Sequence, residues 1–476
     1  MLAWILATQA VLADRPPEVG LTVQPLLAVD LQHETDNEDT IESWTWIHAR
    51  AKHRTAQGEW FFGAHAAHNV RHGVDTESIW HVDLGETGAA GTVGAVHGRI
   101  GNLIERWGKL DLTPVVDVLN PRDLRAGPLG TVEALRVPIP MATLQARGRA
   151  MRLEVTYAPF PQPDKIQTIG SDYSAIRPGM LDGAIAEVAT WEGESAALLT
   201  NQLAQLGSLV AATAPSTVRT LSDGLANLER PEETGLNGNA GVRMELEGRG
   251  VDAAVMAANL RSAMPESTLS PTLQSAIASQ QLPALAQLDG LLVDAPLAAS
   301  WPRTWLVGAE ASTVLGPIGF RGETAWWSNR VVQQPWFSSS TTPATAAGIG
   351  LDWAHGTTVL VSAEARWTRL LDPPEALALI GEDTVDLGAT LRVADPTEAV
   401  SLLAAAMWSA TFDEWLARPE IQWRVSDPIQ LSLGAILIGG PQPPPSTLFD
   451  SLRYTGGPLT LASENDAVFA SIRWIH

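Results

Sequence analysis

The sequence predicts an all-β fold, a transmembrane antiparallel up-and-down β-barrel. Three observations predict it. Apolar and polar residues alternate with period two in segment after segment. The connections between those segments are alternately short and long, the rhythm of a barrel with tight turns at one rim and loops at the other. No stretch offers the roughly 20 continuous apolar residues of a spanning helix, so in a membrane this chain would cross as a closed sheet.

The chain opens on MLAWILATQAVLA, Met1 to Ala13, a short apolar run stopped by Asp14-Arg15-Pro16-Pro17. It reads as a signal peptide for secretion, short and without a basic start, as a misplaced start codon would leave it. Residues 14–476 then read as one barrel. Along it, Met151, Leu153, Val155 and Tyr157 share one face, and Arg152, Glu154 and Thr156 the other. Val359, Val361, Ala363, Ala365 and Trp367 oppose Ser362, Glu364 and Arg366. The alternation repeats over Val385–Val393, Ile421–Val425, Ile429–Leu437 and Val468–Trp474. Many of these segments run to about ten residues, the length that crosses a bilayer at a tilt.

Short turns are expected at residues 56–58, 147–149, 248–250, 316–317, 355–356, 395–396 and 427–428. Long connections are expected at 107–138, 159–238, 260–303, 328–344, 370–382 and 439–465. Counted this way the barrel has about 18 strands, with 14 to 18 open, and both termini on the periplasmic side. Leucines recur near helical spacing over 191–230 and 260–299, which marks both as helical loop insertions. They either constrict the lumen, cap the outer mouth or simply pack their own loops.

Composition narrows the function. A formal charge of −22 argues against a nucleic acid partner, which needs a basic face. Absence of Cys removes disulfides, thiolate metal sites and a cysteine nucleophile. There are 18 Trp against 3 Tyr and 8 Phe, a bias that suits membrane interfaces. The competing reading is Trp in place of Phe in an ordinary core.

Local constellations are weak as chemistry. His65, His68 and His72 lie close together with His48 and His53 nearby, but on a strand only His68 and His72 share a face. Lumen-facing polar residues are the expected meaning, and no metal site is assigned. Glu34–Asp39, ETDNED, lacks the central Gly and closing Glu of a calcium loop and reads as an exposed acidic turn. No Gly-x-Ser-x-Gly elbow and no phosphate-binding glycine loop occur. The expectation is a protein that is not an enzyme and needs no cofactor.

If the polar faces point inward, the pore-lining residues are Arg152, Glu154, Glu310, Arg321, Glu323, Glu364, Arg366, Asp386, Arg392, Arg424 and Arg473. Mixed charge keeps such a lumen wet. Asn120, Pro121 and Asp123 form a turn by their chemistry, since Pro fixes φ and the Asp side chain can bond the backbone two residues on. They are expected in a loop folded inward as a constriction.

Gly98 to Phe160 carries a wider resemblance. It runs GRIGNLIERWGKLDLTPVVDVLNPRDLRAG and then EALRVPIPMATLQARGRAMRLEVTYAPF, with a Gly-Arg strand leading to Trp107-Gly108, the turn Leu119–Asp123 and the hairpin approach Val137–Met141. Leu306 to Trp327, LVGAEASTVLGPIGFRGETAWW, has the matching strand–Gly-Pro–strand form. The stretch is similar to large proteobacterial outer-membrane barrels of unknown function, porin-like relatives in style of the alginate-export-like proteins. That resemblance implies a Gram-negative outer-membrane channel passing a small hydrophobic or polymeric solute. Its partners would be outer-membrane lipid, the barrel-insertion machinery and, in some bacteria, an inner-membrane export pump. The competing function is a plugged structural or docking barrel working with an envelope export system. Barrels of that family end in Phe or Trp; here His476 is last and Trp474 stands two residues earlier.

Overall fold

A computed structural model of the chain describes residues 18–31, 41–55, 58–72, 76–130, 135–166, 180, 237–248, 250–269, 271–279, 297–463 and 465–476. The leader at 1–13, the acidic stretch 34–39 and the leucine-rich stretch 191–230 lie outside the described residues.

Alternating side chains need a long antiparallel ladder, and the chain supplies one hairpin after another. β1 (Glu18–Asp30), β2 (Ile41–Arg54) and β3 (Gly58–His72) begin it. β4 (Thr76–Leu84) and β5 (Thr87–Val93) both lie on β3, against its two halves, and form one interrupted stave. β6 (Val96–Leu103), β7 (Ile139–Arg147), β8 (Met151–Ala158), β9 (Asn239–Glu247) and β10 (Val251–Arg261) follow in order. β11 (Glu266–Leu269) and β12 (Leu297–Ser300) pair only with each other, with helix α1 (Pro271–Ser279) between them. β13 (Arg303–Leu315), β14 (Ile318–Gln333), β15 (Ser339–His355), β16 (Val359–Leu370) and β17 (Asp383–Ala394) continue the ladder. β18 (Val400–Ser409), β19 (Glu414–Ser426), β20 (Ile429–Gly439) and β21 (Ala467–Ile475) complete it.

β1 pairs with β2 on one side and with β21 on the other, so the sheet closes. Leu21 and His476 exchange both backbone hydrogen bonds, at 3.0 and 2.9 Å. The main sheet of 19 strands thus makes a closed antiparallel barrel of 18 staves. Closure leaves no free sheet edge, which is the condition for spanning hydrocarbon.

The start of β1 and the end of β21 lie at the rim that carries the tight turns, here the near rim. Gly316-Pro317 joins β13 to β14 in two residues, and Gly316 takes a φ of 63° that the turn demands. The strand ends that the long connections 159–238, 260–303, 370–382 and 439–465 join lie toward the far rim. One expected long connection is absent: β14 and β15 run on through most of 328–344, leaving only 334–338 between them. Residues here are rich in Ser and Thr, which read as loop by composition but fit a pleated ribbon once paired. Among the described residues of 260–299, α1 is helical, and β11 and β12 pair with each other on either side of it.

Register assigns the faces. Ile349, Val307 and Val155 are 65%, 52% and 48% exposed, whereas Leu306, next to Val307, is 0% exposed. Apolar residues so exposed on strand after strand make a continuous outer band that water would not tolerate. Among the described residues ten tryptophans stand on this outer surface. Trp60, Trp353, Trp423 and Trp474 lie toward the near rim, and Trp80, Trp305, Trp367, Trp408 and Trp415 toward the far rim. Trp415 and Trp423 are separated by eight residues on β19, about 27 Å along the strand. That matches a tilted apolar band about 25 Å tall with aromatic girdles at both interfaces. The chain is a membrane-spanning barrel of the outer-membrane type.

Not all Trp serve the interface. Trp44, Trp46, Trp107 and Trp327 are buried inside the barrel, where the core-filling reading holds. Two apolar clusters lie there. One joins β7, β8, β10 and β13–β16 to residues 103–119, and the other joins β1–β3, β20 and β21 to Ala126 and Leu129.

Candidate functional site

The segment between β6 and β7, residues 104–138, begins at Ile104, where the ladder of β6 with β7 has just ended at Leu103↔Ile139. Among its described residues Trp107, Leu110, Val115, Val116 and Leu119 pack on the inner face of β7, β8, β10 and β13–β16. Ala126 and Leu129 pack on the inner face of β1–β3, β20 and β21. Arg418 of β19 donates to the carbonyls of Pro128 and Gly130, at 2.9 and 3.1 Å. A segment touching inner walls so far apart around a closed ring lies inside it.

Two wall carboxylates hold the crossing. Glu323 of β14 accepts the amides of Lys109, Leu110 at 2.6 Å, Val115 at 2.8 Å and Val116 at 3.1 Å. Glu364 of β16 accepts the amides of Asp111, Leu112 and Thr113, each at 2.9 Å, and the Thr113 hydroxyl at 3.2 Å. Irregular backbone inside a membrane barrel needs partners for its N–H groups, and ionised carboxylates are strong ones. Glu154 of β8 adds a third anchor, accepting Trp107 Nε1 at 2.8 Å.

The turn residues work at the root of the segment. Asn120 Nδ2 donates to the carbonyls of Leu103 and Val137, at 2.8 and 3.0 Å, while its Oδ1 accepts the Glu105 amide at 2.8 Å. The Pro121 carbonyl accepts the Val137 amide. Asp123 Oδ1 accepts the Arg125 amide two residues on, at 3.2 Å. Burial pushes the Glu105 carboxyl above the usual carboxylate range, against the pull of Arg99 at 2.7 Å.

The register puts all eleven charged residues singled out above on the inner face of their strands. They fall into two groups. Glu154, Glu310, Glu323 and Glu364 are buried, occupied by the segment or by Arg243, which ion-pairs with Glu310. Arg152 pairs with Glu245. Arg321 reaches Asp111, Asp352 and Glu364 at 2.9, 2.8 and 3.1 Å. Toward the far rim Arg366 pairs with Asp386 at 2.6 Å, and toward the near rim Arg392 and Arg424 share Glu398 at 3.6 and 3.4 Å. Arg473 lies in the same row as Gln430 of β20.

The histidines divide between the two faces as parity predicts, but not all of them face the lumen. His65 faces inward, its Nδ1 2.9 Å from Nδ1 of His48. His68 faces outward, not into the lumen; it stacks on Trp80 at 4.3 Å and bonds Ser78 at 2.8 Å. His72 shares its face. Parity along β3 requires this once Asn69 and Arg71 are buried inside.

Several inner residues escape a sequence reading. Glu414 of β19, 0% exposed, accepts the amides of Leu459 and Thr460 at 3.0 and 2.7 Å and seats the segment before β21. The available signal was parity, since Glu414 falls on the side opposite Trp415. Far-rim segments also tie to one another. The Trp336 amide donates to Leu452 in helix α2 (Leu448–Arg453), and the Leu379 amide to Gly456 at 3.0 Å. Ser267 of β11 donates its amide to Ser339 at 2.6 Å.

No family model matches the chain, and no curated protein matches it. Several solved structures are similar in overall form. One is OpdK of Pseudomonas aeruginosa, crystallised with vanillate: 7% identity, 97% of this chain and 98% of that one, TM-score 0.46. Another is OccAB4 of Acinetobacter baumannii, at 9% identity, 97% and 98% coverage and TM-score 0.46. OmpF of Salmonella typhi in complex with daunomycin has 8% identity, 97% coverage of each chain and TM-score 0.40. These likenesses are of general form only.

Proposed function

We propose that the chain is an outer-membrane channel that passes a small hydrophobic or polymeric solute through a lumen narrowed by residues 104–138. The observation that carries this is the seating of the segment on Glu323 and Glu364 within a closed barrel whose outer surface is apolar. A packed core needs no ion-paired inner wall, and a soluble sheet needs no apolar exterior. A water-filled passage explains both. The resemblance over Gly98–Phe160 supports the same reading, because that stretch contains the crossing segment. In this reading Arg392, Arg424 and Arg473 line the passage toward the near rim, and Arg366 and Asp386 toward the far rim. Lipid and the insertion machinery are the partners that any such barrel requires.

Planar-bilayer recording of the purified protein tests it. Discrete conductance steps are expected; lipid insertion without steps would refute the channel. A plugged docking barrel is favoured by one observation, the mutual ties among the far-rim segments. Deleting 262–302 separates the two readings: a plugged barrel gains conductance, and an open channel changes little.

A further inference from the structure

The inner face of β18 is uncharged. It presents Ser401, Leu403, Ala405, Met407 and Ser409, while Leu402 and Trp408 stand on the apolar outside. The strands on either side do carry charge inward. Asp386 and Arg392 of β17 share rows with Ser409 and Leu403, and Arg418 and Glu420 of β19 share rows with Ala405 and Leu403. Leu403 and Met407 are half-buried, and neither belongs to the two apolar clusters inside the barrel. They stand about 13 Å apart along the strand.

The crossing segment reaches the wall on both sides of β18. Leu112 sits on Gly388 of β17, where a Cβ would lie 2.9 Å from Leu112 Cδ1, and Gly388 is the register partner of Met407. On the other side Arg418, the register partner of Ala405, donates to the carbonyls of Pro128 and Gly130 at 2.9 and 3.1 Å. Among the described residues the segment makes no hydrogen bond to the inner face of β18 between these two contacts. Leu112 is itself half-buried, so it extends the apolar surface of β18 onto the segment. The charged groups on the flanks are engaged with one another. Asp386 holds Arg366 at 2.6 Å, Arg392 and Arg424 share Glu398, and Arg418 pairs with Glu420 at 3.6 Å. Gln422 donates to Glu420 at 2.8 Å. Such pairs offer hydrogen bonds to a passing molecule without calling for a counter-ion. Apolar side chains in a wet lumen gain when an apolar body displaces their water, and the Met thioether adapts to ring edges. The molecule that suits this wall is neutral and two-sided.

We propose that Leu403 and Met407 of β18, with Leu112 of the segment, form a selectivity track for an uncharged solute that carries an apolar ring or chain beside hydroxyl groups. The proposal deepens the channel reading and rests on it for its role in transport. The test uses the purified full chain with phenyl glucoside, methyl glucoside and benzoate as probes. In planar bilayers phenyl glucoside should reduce the potassium chloride current at a concentration where methyl glucoside, the same sugar without the ring, does not. M407S and L403S should each raise its half-blocking concentration about fivefold or more. Either serine variant serves if the other does not fold. M407L, which stays apolar, should keep the block. Titration calorimetry in detergent reads binding without conductance. Normal steps with block unchanged in M407S and L403S would overturn the track and leave the channel standing. Absent steps with phenyl glucoside binding that depends on Met407 would overturn the channel and keep the track as a binding site. Stronger block by benzoate than by phenyl glucoside would overturn the uncharged class. Equal block by the two glucosides, or no binding of either, would overturn the track.

Discussion

Leu110 of the crossing segment rests on Gly348 of β15 so closely that a Cβ at Gly348 would lie 2.5 Å from Leu110 Cδ1. The same relationship recurs around the wall. A Cβ at Gly241 would meet Trp107 at 2.5 Å, one at Gly308 would meet Val116 at 2.7 Å, and one at Gly388 would meet Leu112 at 2.9 Å. Each inward glycine leaves a niche for one side chain of the segment. Gly348→Val should therefore lift the segment, since Leu110 can swing but Val115, at 3.2 Å, closes the other side. Overpacking of this kind costs about 1–3 kcal/mol. The expected outcome is a barrel that still shows heat-modifiable migration, with a lower urea midpoint and altered step conductance. Unchanged steps and midpoint would mean that the niche does not seat the segment.

Glu323→Gln combined with Glu364→Gln should loosen the same segment by a different route. Each carboxylate serves its amides with two oxygens. A carboxamide offers one oxygen and turns an N–H₂ toward the remaining donors. Leaving buried N–H groups unpaired costs about 1–3 kcal/mol each. Trypsin should then cleave after Lys109 in the folded barrel, where the wild type resists. Equal cleavage rates in the two proteins would remove the carboxylates from the anchoring role.

The strand pattern was legible because each test of it is local. Val385, Leu387, Ala389, Leu391 and Val393 lie on one side of β17 whatever else the chain does. Inner-facing charge followed from the same parity. What the wall is packed against was not legible, because it depends on contacts between residues far apart in the chain. Gly348 in a run of Ala and Gly looks like a weak strand position until Leu110 is placed on it. Trp44 and Trp46 look like girdle residues until Ala126 and Leu129 cover them from the inside. Arg330 is misassigned by strict period two, since one inserted residue reverses the faces beyond Trp327. The burial of Glu154, Glu310, Glu323 and Glu364 was equally hidden: a charged inner row reads the same whether it faces water or a folded segment.

Acid should selectively weaken the turn at 395–399. The Thr397 hydroxyl and the Val400 amide, the latter at 2.7 Å, hold the Asp395 carboxyl below the usual carboxylate range. Its folded-state pKa thus lies below the unfolded value of about 3.9. The contribution is present in full above the unfolded value and is lost as pH falls through the lower folded one. Asp395→Asn should be less stable than the wild type at neutral pH, and the gap should close below about pH 4. Denaturant titrations at several pH values measure it. A gap that stays constant with pH would show that the charge on Asp395 contributes nothing.

The outer band gives a prediction whose size depends on depth. Ile349 lies mid-strand on β15, opposite Ala365 on β16, and is 65% exposed on the apolar side. Val425 is also outward, 48% exposed, but stands two residues beyond the near-rim Trp423 on β19. If hydrocarbon covers the middle of the band, Ile349→Arg should cost about 2–4 kcal/mol, because a guanidinium at that depth has no water within reach. At the rim the side chain can extend to the headgroups, so Val425→Arg should cost about 0–1 kcal/mol. Reversible folding into lipid vesicles measures both against the wild type. In a water-exposed sheet both substitutions would be nearly neutral, and the two positions would be indistinguishable. A difference of about 1 kcal/mol or more in the stated order is the outcome that only a lipid-facing band produces.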